Sequence, residues 1–172
     1  GGVITHGILM TGSSGYGGEL GHTIVEPEGP LCGCGSHGCL ESLASATAIV
    51  KMAREYSKRF PKSSMFSAPE ITAKVVFDSA RGGDLAATMI VERVTKAMAI
   101  AIGNFIHVFN PEHIIIGGGI SKAGDLLIDG ILRKMPAFVM PSFIGTYSIT
   151  LSRLVENAGI TGAASIVFYR LS

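Results

Sequence analysis

Between Leu85 and Phe109 the residues Val91, Val94, Met98, Ile102, Phe105 and Phe109 recur at helical spacing, and from Ala97 onward nearly every face is apolar. This pattern predicts a long, buried central helix. Asp84 is placed to cap its start and Asn110-Pro111 to end it. His107 falls within this apolar helix and reads as a packed or capping histidine. A second helical pattern runs from Leu40 to about Phe60, where Leu43, Ala46, Ile49, Ala53 and Tyr56 repeat at three- and four-residue steps and Pro61 marks the end. Glu41 then sits in the first helical turn, where free amides favour an anion. Shorter helices are predicted from Glu70 to about Arg81, from about Gly124 to Met135, and from Gly159-Ile160-Thr161-Gly162-Ala163-Ala164 onward, the last with small residues suited to close packing.

Strand patterns are shorter. Gly1 to Met10 reads as a hairpin, with two apolar runs parted by Thr5, His6 and Gly7. Glu19 to Val25 and Tyr147 to Leu154 alternate like further strands. His113-Ile114-Ile115-Ile116 is continuously apolar, the pattern of a buried parallel strand. It runs directly into Gly117-Gly118-Gly119. A strand followed by glycines and a helix start offers bare backbone amides to a nucleotide, although a merely tight turn fits these residues equally well.

A chain of 172 residues suffices for one domain with a sizeable core. Hydrophobic residues are 47% and charged ones 16%, which excludes a disordered chain and points to surface buried against a partner lobe or subunit. Lys+Arg of 14 against Asp+Glu of 13 lacks the basic excess of a nucleic-acid binder. With no signal-peptide pattern and no apolar run near the ~18 residues of a membrane span, the expected location is the cytoplasm.

Chemistry concentrates in Gly18 to Glu41. Cys32, Cys34 and Cys39 lie within eight residues, close enough for three thiolates to meet on one ion. Structural zinc takes four tetrahedral sulfur or nitrogen ligands, and Cys₃His is a common set. His22 and His37 are both available as the fourth ligand; His22 is preferred, because His37 lies inside the tight Cys34 to Cys39 loop and would have to fold back. The alternative is a disulfide plus a free thiol. However, Cys32 and Cys34 are too close to bridge comfortably, and an odd count suits a reduced compartment. Gly33-Cys34-Gly35-Ser36-His37-Gly38 matches a dinucleotide fingerprint in form, but no apolar strand precedes it.

Glu19-Leu20-Gly21-His22, Cys32-Gly33-Cys34-Gly35 and Gly38-Cys39-Leu40-Glu41 together resemble the signature of the ROK family of sugar kinases, open reading frames and repressors. Asn110-Pro111, Ile115-Ile116-Gly117-Gly118-Gly119 and Gly162-Ala163-Ala164 follow in that family's order. The resemblance implies an α/β, actin-like ATPase (ribonuclease H-like) fold, with residues 1–172 forming a single carboxyl-terminal lobe that carries a zinc-binding loop. It implies a structural zinc on His22, Cys32, Cys34 and Cys39, sugar hydroxyls on Glu19, His22 and Glu41, and a nucleotide against Gly117, Gly118 and Gly119.

Two family features are missing: the amino-terminal Asp-x-Gly-Gly-Thr phosphate loop and the Asn-Asp pair whose aspartate is the general base. Asp78, Asp84, Asp125 and Asp129 all fall in helical or capping contexts, so no catalytic residue is assigned here. Gly1 and Gly2 are read as the remnant of a second phosphate loop, and the chain as a fragment lacking its amino-terminal lobe. The resemblance thus implies an intact enzyme that phosphorylates a hexose, glucose first, with ATP and magnesium, assembled as a homodimer or homotetramer. This half alone is expected to be inactive. Leu43-Ala44-Ser45-Ala46-Thr47 looks more like glucokinases than N-acetylmannosamine kinases. The alternatives are that second kinase, a sugar-sensing repressor, and a zinc-stabilised dimerisation module.

Overall fold

The computed structural model describes residues 1–154 and 157–171. Its centre is α4 (Leu85–Phe109), which buries Ile90, Val94, Ala99, Ile102 and Ile106 among others. Asp84 caps it by accepting from the Ala87 N–H, and Asn110 ends it in a left-handed conformation. Around it pack α1 (Leu40–Ala44), α2 (Ala46–Tyr56), α3 (Ala73–Arg81) and α5 (Asp125–Leu132). Their apolar faces close one core that includes Ile49, Met52, Met65, Phe77, Leu127 and Ile131.

Two small sheets flank this helical layer. β1 (Ile4–Thr5) and β2 (Ile8–Leu9) form the expected antiparallel hairpin, turning at His6 and Gly7, both with positive φ. β3 (His113–Ile116) pairs in parallel with β4 (Ser148–Leu151), His113 opposite Ser148 and Ile116 opposite Leu151, and α5 lies in the crossover between them. Among the described residues no helix is long and apolar enough to cross a membrane.

Several expectations are corrected. The segment from Leu40 to Phe60 is two helices, because Ser45 turns extended and its hydroxyl caps α2 by accepting from the Ala48 N–H. Glu19 to Val25 is no strand; Leu20–His22 is a 3₁₀ turn, closed by the Thr23 hydroxyl donating to the Leu20 carbonyl. α3 starts at Ala73 rather than Glu70, since Thr72 is its cap. The glycines after β3 lead into a 3₁₀ turn, Gly119–Ala123, before α5. β3 is not buried on both faces within this chain: Ile116 is buried, but Ile115 is exposed. Residues 157–165 at the start of α6 (Ala158–Leu171) are exposed, and a Cβ at Gly159 or Gly162 would meet nothing, so the expected close packing is not seen there.

Candidate metal and ligand site

The segment from Thr23 to Leu40 folds back on itself through its own backbone. The N–H groups of Val25 and Glu26 both donate to the Gly38 carbonyl, and Leu40 N–H donates to Thr23. Further out, Gly38 N–H reaches Pro30, Cys32 N–H reaches Ser36 and Gly35 N–H returns to Cys32. Gly38 makes this closure possible. Its φ is +69°, and a Cβ there would lie 1.6 Å from the Glu26 carbonyl oxygen, so no side chain fits.

This folding gathers four donor atoms. His22 Nδ1 lies 3.6 Å from Cys32 Sγ, and Cys34 Sγ lies 3.6 Å from Cys39 Sγ. All four fall within 4.8 Å of one another. A tetrahedral ion with bonds of about 2.3 Å to sulfur separates its ligands by roughly 3.7 Å, so the donor set and spacing fit a metal ion. His22, preferred over His37 from the sequence, is the histidine brought to the cysteines; His37 Nδ1 instead meets the Gly29 carbonyl at 3.0 Å.

The electrostatics suit a cation as well. Cys39 is fully buried, and that burial, with the neighbouring sulfurs of Cys34 and Cys32, pushes its thiol up to about 12. The exposed Cys34 is drawn down to about 6 by the Ser36 N–H and then by Cys39. Three thiolates this close repel one another unless a positive charge stands between them.

Two carboxylates border this cluster. Glu19 Oε2 is 3.8 Å from His22 Nε2, the ring nitrogen turned away from Cys32. Glu41, in the first turn of α1, places Oε1 at 3.9 Å from Cys32 Sγ, and its Cβ would stand 3.7 Å from a Cβ at Gly21. Both are exposed. His22 therefore offers one nitrogen to the sulfurs and the other to the carboxylate side.

Gly117, Gly118 and Gly119 lie at the end of β3, Gly117 beside Ser152 and Gly119 against Ala46, the first residue of α2. Gly118 adopts φ +76° and ψ −171°, a region for glycine, and its Cα faces open space. Beside Ala46 opens a cleft of about 580 Å³ lined by Thr47, Lys51, Arg54, Glu70 and Thr72. Sequence reading missed this cleft. No local signal marks it, because α2 and Thr72 meet only in the fold.

Comparison with known proteins is in keeping with this architecture. Residues 1–169 match the ROK family. A glucokinase of Thermotoga maritima is 52% identical over 99% of this chain and 55% of its own length. The DNA-binding transcriptional repressor Mlc of Escherichia coli is 33% identical over 96% of this chain and 40% of its own. Among solved structures, a ROK family glucokinase from Streptomyces griseus in complex with glucose and AMPPNP superposes with a TM-score of 0.83 at 29% identity, covering 96% of this chain and 55% of that one. The chain spans about half the length of the relatives it matches. With the signature residues assembled on a mixed α/β sugar-kinase fold, the chain belongs to the ROK family.

Proposed function

We propose that the intact protein transfers the terminal phosphate of ATP to a hexose hydroxyl, with glucose as first substrate. In this reading residues 1–172 are the carboxyl-terminal lobe, which orients the sugar and forms one wall of the nucleotide cleft. The observation that carries it is that two carboxylates border the histidine–cysteine cluster, Glu19 at His22 and Glu41 at Cys32. Carboxylates accept hydrogen bonds from sugar hydroxyls, and a metal-tethered loop holds them in place. His22, Cys32, Cys34 and Cys39 would hold a zinc ion, whose role is structural rigidity. Gly118 would let phosphate or ribose approach the backbone closely, and the cleft beside Ala46 has room for the nucleoside. The general-base aspartate, the remaining phosphate loop and the magnesium site belong to the other lobe. Catalysis then rests on positioning and charge stabilisation.

The test is steady-state phosphorylation of glucose, N-acetylmannosamine and other hexoses by the intact protein, with Glu41→Gln alongside. Removing one charged hydrogen-bond acceptor is expected to weaken sugar use by roughly 10–100-fold. This chain alone should bind metal and phosphorylate nothing; turnover of glucose by the 172 residues would overturn the division of labour between lobes. The similarity to Mlc favours a second reading, a sugar-sensing repressor built on the same lobe. An Asn-Asp pair ahead of this lobe decides for the kinase, a DNA-binding helix-turn-helix for the repressor.

A further inference from the structure

We propose that Cys34 is a site of oxidative modification by peroxides and that Cys39 is its disulfide partner, so that oxidation opens the metal knuckle. This rests on the metal reading given above. Of the three cysteines, Cys34 alone is exposed, while Cys32 and Cys39 are 4% and 0% exposed. A peroxide therefore meets Cys34 first. Cys39 Sγ lies 3.6 Å from Cys34 Sγ, across a loop of four residues, Gly35 to Gly38. Closing to a bond length of about 2 Å needs a movement of roughly 1.5 Å. Cys32 belongs to the same cluster, but only Gly33 separates it from Cys34, too close in the chain to bridge comfortably, and its sulfur lies beside His22 Nδ1 at 3.6 Å and Glu41 Oε1 at 3.9 Å.

The chemistry balances in two steps. The Cys34 thiolate attacks one peroxide oxygen and breaks the O–O bond, giving a sulfenic acid and hydroxide. Cys39, which ligation to the metal would keep as a thiolate, then attacks the sulfenic sulfur and expels a second hydroxide, leaving the Cys34–Cys39 disulfide. Two electrons pass from the sulfurs to the peroxide, and the two hydroxides take two protons from solvent to become water. Two of the four metal ligands are lost together, and His22 and Cys32 cannot retain the ion alone. The consequence reaches the carboxylate side, because His22 links the cluster to Glu19 and Cys32 adjoins Glu41.

The experiment treats the zinc-loaded chain with hydrogen peroxide while a chromogenic chelator reads free zinc. Remaining thiols are blocked with N-ethylmaleimide after denaturation; disulfides are then reduced, labelled with iodoacetamide and located by mass spectrometry. The expected result is iodoacetamide on Cys34 and Cys39, maleimide on Cys32, and zinc released in step with the disulfide, all reversed by dithiothreitol plus zinc. Cys32 in the disulfide, Cys34 converted to sulfinic acid with Cys39 still free, or zinc retained after the disulfide has formed would each overturn the proposal. A chain that takes up no zinc at the outset defeats the metal reading instead, and the labelling pattern still decides the Cys34–Cys39 pairing.

Discussion

Arg93 on α4 grips the Glu26 carboxylate with both arms of its guanidinium, Nη2 to Oε1 at 2.7 Å and Nε to Oε2 at 3.3 Å. Glu26 lies between His22 and Cys32 in the chain, so this pair fastens the cysteine loop to the central helix. Both side chains are more than a third exposed, and water weakens such a pair to about 1 kcal/mol or less. Arg93→Ala is therefore expected to leave the fold intact but to let the loop breathe. Stripping of the metal by excess chelator should quicken severalfold, a factor of about 5 for each 1 kcal/mol. An unchanged stripping rate would show that the backbone ladder alone holds the loop.

Gly38 makes a stronger claim. A Cβ at this position would stand 1.6 Å from the Glu26 oxygen, and φ is +69°. Gly38→Ala must break the hydrogen bonds from Val25 and Glu26, and is expected to destabilise by more than about 2 kcal/mol with loss of bound metal. Gly33→Ala is the control, because a Cβ there meets nothing within 4 Å. Metal content and thermal unfolding of the two variants check this; equal behaviour would contradict the described loop.

How far the residues alone foretold this arrangement depends on the range of the forces involved. The bounds of α4 and β3 were legible because their punctuation is local: Asp84 caps three residues ahead, and Asn110 stops the helix it ends. The cysteine spacing likewise confines three sulfurs to one neighbourhood. Apolar periodicity ran unbroken through Ser45, however, and hid a cap formed by a single hydroxyl. The alternation of Glu19 to Val25 was overridden by the Thr23 hydroxyl bond and by the recruitment of His22 to the sulfurs. Arg93 and Glu26 are 67 residues apart, and no pattern announces their meeting. The exposed Ile115 on β3 shows the same limit, since an apolar run does not say which of its side chains the fold covers.

The two histidines of the loop should separate cleanly by metal analysis. Wild type is expected to carry about one zinc per chain. His22→Ala removes a ligand and should lower affinity by at least the 10–100-fold typical of even an outer-sphere loss. His37→Ala removes only the contact with the Gly29 carbonyl and should keep its metal. If both variants lose zinc alike, the donor set is wrong; if wild type binds none, Glu19, His22 and Glu41 lose their claim as ligand residues.

Asp84 provides a check on the fold that is independent of the metal. Its carboxylate accepts from Ala87 N–H at 2.9 Å, from Ser64 N–H at 2.7 Å, and from the hydroxyls of Ser63 and Ser64 at 3.0 and 3.1 Å, joining the start of α4 to the turn before α3. Burial pushes its pKa up, but the four hydrogen bonds outweigh that and hold it below the ordinary value. A carboxylate with a lowered folded pKa contributes stability above its unfolded pKa of about 3.9, and that contribution fades as pH falls through the folded value. Asp84→Ala should thus cost about 1–2 kcal/mol at neutral pH, several degrees of melting temperature at roughly 2–4 °C per kcal/mol for a chain of this size. The gap between wild type and variant should narrow as the pH drops below 4. A gap that stayed constant with pH would mean that the capping bonds stabilise through the shape of the side chain rather than through its charge.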